Sequence, residues 1–228
     1  MKTEEIIVIS LGGSLIVPDT IDTGFLKDFK KLILSEVKKG KKFIIITGGG
    51  KICRRYQEAA KEVSSSSDYD LDLIGIASLK LNAELLRVVF GDQAYGEVIL
   101  NMNTSLSLEK PIIVGAAYKP GSSTDLDAIW AAKSVGAKRV INLSNTDYVY
   151  DSDPKTNPDA KKIEKISWAD YRDLIPKVWN PGLSSPFDPI ASELAEKENI
   201  TVITMNGRPI ENLAKCLGRE EFMGTTIS

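Results

Sequence analysis

Two glycine-rich turns carry the first chemical signal in this sequence, Gly12-Gly13-Ser14 and Gly48-Gly49-Gly50. Each follows a short β-branched apolar run, Ile6 to Ile9 and Phe43 to Thr47. Without Cβ atoms, backbone N–H groups can approach a ligand closely and converge on it, which suits phosphate oxygens. A helix start behind such a turn adds positive potential. A tight turn needing positive φ would explain Gly12-Gly13 alone equally well. Three consecutive glycines are harder to explain that way, because each costs backbone entropy. Neither turn is a Walker loop, since no Gly-Lys-Ser/Thr closes it. Lys51, Arg54 and Arg55 open the next helix. Cations there oppose the helix dipole, a cost that a bound phosphate would offset. The alternative is a solvated basic face.

Two polar turns complete the set. Pro120-Gly121-Ser122-Ser123-Thr124-Asp125 is rich in hydroxyls and opens a helix, which Thr124 and Asp125 could simply cap. Asp151 to Pro154 reads locally as an ordinary turn. The sequence has no histidine, which removes the commonest general base and metal ligand. Its two cysteines, Cys53 and Cys216, have no zinc-site spacing and suit a reducing compartment. Chemistry must run on carboxylates, lysine, arginine and backbone amides, with a hard cation as an optional addition.

The elements that must position these residues alternate. Strands are expected at 6–9, 43–47, 98–101, 112–114, 139–143 and 201–205, the short apolar runs expected of buried parallel strands. Helices are expected from Asp22, as N-cap, to about Lys39, and at 51–63, 70–90, 124–135, 188–198 and 209–217. Gly40 and Gly136 end two of them. Ser167 caps a short helix, and Asp147 to Pro154 forms a loop or hairpin. The four-serine run Ser64 to Ser67 reads as a mobile loop. This alternation predicts an α/β fold, a mostly parallel sheet covered on both faces. All four polar turns then fall at strand ends, where open α/β sheets bind ligands.

The chain has 228 residues, 43% hydrophobic and 26% charged, enough for one large domain, with a lobe boundary possible near Asn145. A net charge of -2, with mixed signs, points to neither nucleic acid nor an anionic membrane. No apolar run approaches the roughly 20 residues needed to span a bilayer, and the N-terminus lacks a signal peptide's apolar stretch. The expectation is a soluble, cytoplasmic protein. Phe25, Phe29 and Ile33 exceed what a small core obviously needs, so the 22–39 helix is a candidate oligomer interface; packing on the sheet is the alternative.

Taken in order, the motifs resemble the amino-acid-kinase superfamily over nearly the whole chain, and within it the UMP kinases. Ile9 to Ser14 resembles the first phosphate turn and Thr47 to Tyr56 the second. Leu71 to Ile76 resembles the Asp-x-x-Gly stretch that holds a nucleoside monophosphate, and Pro120 to Asp125 the Pro-Gly-x-Thr-Thr-Asp loop. Asn145 to Pro154 resembles Asn-x-Asp-Gly-Val-Tyr-x-x-Asp-Pro of the nucleoside triphosphate site. Phe187 to Ala191 resembles a further loop, and Gly224 to Ile227 the closing strand.

The resemblance implies a three-layer αβα sandwich of acetylglutamate-kinase type, in one domain whose acceptor and ATP lobes divide near residue 140. It implies transfer of the γ-phosphoryl group of ATP to UMP, with Mg²⁺, in a homohexamer built as a trimer of dimers. By carry-over, UMP lies on Gly49, Asp72 and the loop Tyr118, Lys119, Pro120, Gly121, Ser122, Ser123 and Thr124. ATP lies on Gly12, Gly13, Gly50, Arg54, Ser144, Asn145, Tyr150 and Asp153. Asp125 matches the aspartate that organises cations in the transition state. Many members carry a catalytic lysine two residues before the first glycine turn. Here that position is Ser10, and Lys51 is the candidate to supply the missing charge. Tyr148 replaces a glycine, and Gly115-Ala116 stands for Gly-Gly. A phosphotransferase with another acceptor, or a non-catalytic nucleotide-binding protein on the same fold, are the competing readings. The absence of histidine disfavours the isoprenoid phosphate branch, and Asp72-x-x-Gly75 favours a nucleotide acceptor.

Overall fold

The apolar runs become the centre of a parallel sheet because residues on both faces of each strand are buried. The computed structural model describes residues 5–154, 156–177 and 185–228. In chain order its elements are β1 (Ile6–Leu11), α1 (Gly13–Ile16), α2 (Thr23–Lys38), β2 (Lys42–Thr47), α3 (Gly50–Val63), α4 (Asp68–Phe90), β3 (Ile112–Gly115), α5 (Thr124–Val135), β4 (Arg139–Ser144), β5 (Val149–Tyr150), β6 (Lys162–Ile163), β7 (Lys165–Ile166), α6 (Trp168–Leu174), α7 (Pro189–Lys197), β8 (Thr201–Asn206), α8 (Ile210–Gly218) and β9 (Thr225–Ile227).

The main sheet runs β3-β2-β1-β4-β8-β9-β7. Every pair is parallel except β8 with β9. Alternate strand residues feed two cores. Ile7, Ile9, Phe43, Ile45, Ile141 and Met205 pack under α1, α2, α4 and α8. Val8, Ile44, Ile113, Val140 and Val202 pack under α5, α6 and α7. This is the expected three-layer αβα sandwich. Strand order reverses at β1, with β2 on one side and β4 on the other. The crevice beyond the carboxyl ends of these strands is the switch point at which such folds bind ligands.

Helix boundaries follow their caps. Asp22 accepts from the N–H of Phe25 at 2.9 Å, and Gly40, at φ 93°, ends the chain's run after α2. Gly136, at φ 68°, closes α5. Asp147 to Pro154 enters a hairpin, with β5 antiparallel to β6.

One expectation is corrected and two are sharpened. Ser64 to Ser67 is not a simple spacer. Ser64 follows α3 and donates to the carbonyl of Ala60, and Ser67 caps α4 in a capping box with Asp70. The 98–101 segment forms no named strand; it makes one isolated bridge, Ile99 to Gly115, beside the edge strand β3. Of the two readings of Phe25, Phe29 and Ile33, core packing is the one the structure shows. They are buried, and Phe29 lies between Phe25 and Phe90 with ring centroids at 5.6 and 6.2 Å.

One core residue is unexpected. Asp127, on α5, is fully buried, and neither of its oxygens has a hydrogen-bond partner. Burial pushes its pKa up to about 7. A raised carboxyl pKa means that the folded state holds the proton more tightly than the unfolded chain. The resulting stability is complete below about pH 4 and is lost as pH rises through 7. Asp127→Asn removes the charge at similar volume. It should raise the melting temperature at pH 8 by several degrees, a gain of a few kcal/mol, and the gap should shrink at pH 5. Melts of both proteins across that range check this; a variant less stable at every pH would contradict it.

Candidate active site

The two glycine turns are one structure. The N–H of Gly12 donates to the carbonyl of Leu143, at the end of β4, at 2.8 Å, and the N–H of Gly48 donates to Leu11 at 2.9 Å. A Cβ on Gly13 would overlap the backbone of both Gly48 and Gly50, and a Cβ on Gly50 would overlap the carbonyl of Gly13. Gly50 also has φ 67°. Backbone is therefore stacked on backbone, and no side chain fits between the turns.

What lies behind each turn differs. The first feeds α1, a single turn of four residues, so the macrodipole argument has little to act through there. The second opens α3, a full helix of 14 residues with no side-chain cap and no acidic residue in its first turn. By contrast, α2, α4, α5, α6 and α7 are all capped by an Asp or Ser side chain. The first N–H groups of α3 are thus left for an anion.

Asn82, which the motif reading missed, fixes this turn from below. It is buried on α4, and its Nδ2 donates to the carbonyls of Gly48 at 2.9 Å and Gly49 at 3.2 Å. Thr47 Oγ1 donates to the carbonyl of Leu79, also on α4, at 3.1 Å. A polar residue inside the apolar run of α4 was the available signal. A Cβ on Gly49 would fall 2.6 Å from the Cβ of Cys53, which accounts for the middle glycine.

Asp72 and the 118–124 loop meet as expected. The N–H of Gly121 donates to Asp72 Oδ2 at 3.0 Å, across 49 residues of sequence. Gly121 has φ 78°, the left-handed region that glycine takes without strain. Tyr118 and Lys119 are exposed on this loop, Pro120 is half-buried, and Ser122 holds a buried hydroxyl with no partner. Ser123 caps α5, accepting from Leu126, and Thr124 is its first residue.

On the other side of the turns, Ser144, Asn145, Tyr150 and Asp153 line one cavity of about 380 Å³. Leu174, Ile175 and Pro176 supply apolar wall, and Ser185 and Pro186 close it. Four residues spread from the end of β4 to the β5 hairpin are thus brought to one hollow. A second, larger cleft of about 790 Å³ lies at the β7–β9 edge; Tyr148, Gly224 and Thr226 of the sequence motifs line it, but none of the residues assigned to UMP or ATP does.

Asp125 sits between the two sides. Its Oδ1 accepts from Ser10 Oγ at 3.1 Å, and its Oδ2 accepts from the N–H of Asp188 at 3.1 Å. Ser10 is buried at the end of β1, the strand that carries the first turn. The loop holding Asp188 is pinned to the sheet: Asn142, on β4, donates to the carbonyl of Pro186 at 2.8 Å, and the Tyr171 hydroxyl donates to that of Phe187 at 3.0 Å. Burial and the charge of Asp188 push Asp125 up to about 7, against the pull of its two hydrogen bonds. Burial likewise raises Asp188.

Lys51 and Arg55 reach a partner that the sequence reading did not weigh. Lys51 Nζ lies 2.8 Å from Asp19 Oδ1, and Arg55 lies 3.3 Å from the same oxygen. Asp19 offsets part of the dipole cost first assigned to phosphate. All three side chains are about half exposed or more, so the pairs are solvent-screened and easily exchanged. Arg54 is exposed on α3.

The parallel sheet and the fused glycine turns define a phosphate-handling α/β enzyme, and the chain belongs to the amino acid kinase family, whose model matches residues 5–206. It is 36% identical to the uridylate kinase of Staphylothermus marinus over 97% of both chains. It is 30% identical to that of Pyrococcus abyssi, over 97% of this chain and 98% of the relative. The crystal structure of uridylate kinase from Archaeoglobus fulgidus superposes with a TM-score of 0.82 at 30% identity, covering 97% of this chain and 99% of the other.

Proposed function

We propose that this protein is an ATP-dependent UMP kinase, transferring the γ-phosphoryl group of ATP to UMP to give UDP and ADP. The observation that carries the reading is the fusion of the two glycine turns, supported by the Asp72–Gly121 contact and by the cavity that Ser144, Asn145, Tyr150 and Asp153 line. The relatives' names supply the acceptor, and ATP is the donor that a kinase family implies. UMP rests on Gly49, Asp72 and the loop from Tyr118 to Thr124. ATP rests on Gly12, Gly13, Gly50 and Arg54, with its nucleoside toward Ser144, Asn145, Tyr150 and Asp153.

Phosphoryl transfer asks little covalent chemistry of a protein; it asks for in-line positioning and cancellation of charge. The N–H groups of both turns and the start of α3 supply fixed positive ends near the moving phosphoryl. Acceptor and donor share the floor formed by Gly49 and Gly50, which holds the two phosphates within reach of each other. No imidazole is needed, which agrees with a chain that has none. Mg²⁺ would supply charge neutralisation at the phosphate oxygens, and Asp125 would be the side chain to hold it. The reading extends to pyrimidine nucleotide supply in the cytoplasm and to a hexameric assembly. No helix among the described residues is long and apolar enough to cross a membrane.

Lys51 is proposed to leave Asp19 for the transferring phosphoryl once both nucleotides bind. Lys51→Met should then lower kcat by about two orders of magnitude, as loss of a transition-state charge contact does. A near-normal kcat would leave Lys51 as an Asp19 partner only. The function itself is tested with purified protein, ATP, Mg²⁺ and a panel of nucleoside monophosphates, read as ADP release. Release with UMP far above the others is expected. ATP binding without turnover on any acceptor would favour a non-catalytic nucleotide-binding protein.

A further inference from the structure

The first glycine turn is short of positive potential on its own. The N–H of Gly12 is already spent on the carbonyl of Leu143, and α1 behind the turn is a single turn of four residues. Ser10, on the strand before it, brings no charge. A cation nevertheless reaches this turn, across 194 residues of sequence. The loop after β8, residues 206–208, packs directly on it. The N–H of Gly207 donates to the carbonyl of Ser144 at 3.0 Å. A Cβ on Gly207 would fall 2.4 Å from Leu15 Cδ1, so it is a glycine that lets the loop close onto α1. Asn206 Nδ2 donates to Asp147 Oδ1 at 2.8 Å, and its Oδ1 accepts from the N–H of Arg208 at 3.0 Å.

Arg208 carries its charge to that place. Its Nη2 donates to the carbonyl of Ser14 at 3.4 Å, and its Nη1 lies 2.5 Å from Asp22 Oδ2. The other oxygen of Asp22 caps α2. The two side chains are 41% and 25% exposed, so the pair is solvent-screened and adds little to stability. Lys51 and Arg55 are held in the same manner by Asp19. One short segment, residues 17–22, thus supplies the carboxylates that hold cations beside both turns.

We infer that Arg208 is a donor-phosphate-binding residue, which exchanges Asp22 for the phosphate oxygens of the nucleotide on the first turn. A guanidinium presents a planar fork of N–H groups that matches phosphate oxygens in pairs, and here a single carboxylate oxygen occupies it. Its loop touches Ser14 of the first turn and Ser144 of the donor set. The second turn has its own cations and the start of α3. Arg208 therefore serves the donor nucleotide and leaves the acceptor alone. Lys51 remains the candidate for charge on the moving phosphoryl, whereas Arg208 acts on the bound donor before transfer.

The inference deepens the phosphotransfer reading and rests on it for the identity of the anion, but its test needs no turnover. ATP and, separately, UMP are titrated by calorimetry into the parent protein, Arg208→Met and Asp22→Asn. Arg208→Met should bind ATP ~10-fold or more weakly, the loss expected for a charged hydrogen-bonding group, with UMP affinity unchanged. Arg208→Lys should fall between the two and serves if the first variant proves unstable. Asn caps a helix as well as Asp does, so Asp22→Asn keeps α2 and frees Arg208. It should bind ATP as tightly as the parent or more so. ATP affinity unchanged in Arg208→Met, or weakened alike in Arg208→Met and Asp22→Asn, would overturn the inference and make the pair a strut. ATP binding that depends on Arg208 in a protein that transfers nothing to UMP would overturn the function proposed above and leave this residue's role standing.

Discussion

Asp125→Asn should reduce kcat by about three orders of magnitude, with the KM for UMP changed only a few-fold. The magnitude follows from the place of this carboxylate. It joins β1, through Ser10, to the loop before α7, through the N–H of Asp188. It opens α5 directly after the loop that Asp72 anchors through Gly121. Losing a group that holds charge only at the transition state costs about 10²–10³ in kcat, and here a cation's position goes with it. Asn keeps the shape and can still accept from Ser10, so the fold should survive. Steady-state kinetics with both substrates varied make the check. A raised KM with kcat intact would move Asp125 from the reaction to substrate binding.

Gly13→Ala should remove nucleotide binding and destabilise the protein by about 3 kcal/mol or more, at the upper end of overpacking costs. A new Cβ there would occupy space already filled by the backbone of Gly48 and Gly50, and backbone cannot rotate aside as a side chain can. The turns must separate, which breaks the shared floor for both phosphates. Gly40→Ala is the useful contrast. Nothing lies within 4 Å of a Cβ at Gly40, so only the cost of its φ of 93° remains, and nucleotide binding should persist. Chemical denaturation and ATP titration of the two variants separate these effects. Equal ATP affinity in Gly13→Ala and the parent protein would show that the turns need not touch.

Local signals were the most legible part of the sequence. Asp22, Ser167 and Gly136 mark helix ends through interactions that span three or four residues, and each does so in the structure. The strands at 6–11, 42–47 and 139–144 are legible because both faces are apolar. The 98–101 run has the same composition but lies at an edge, and composition does not reveal which neighbours a strand will find. The site divides in the same way. The glycine turns and the Asp72 motif are recognisable where they stand, and so are Ser144, Asn145, Tyr150 and Asp153, which line one cavity. Contacts made across the fold were not legible: Ser10 with Asp125, Asn82 beneath Gly48, Lys51 with Asp19, and Asp188 beside Asp125. Ser10 drew notice only as the position of a missing lysine. In the structure it is a hydrogen-bond donor to the central carboxylate.

The central claim is that the fused turns hold two nucleotides for direct transfer between them. Phosphorus NMR of the protein mixed with Mg²⁺, ATP and UMP tests it most directly. The account predicts UDP and ADP resonances growing in equal amounts, with no inorganic phosphate. ATP signals that persist unchanged beside UMP, or that decay to ADP and free phosphate without UDP, would contradict it.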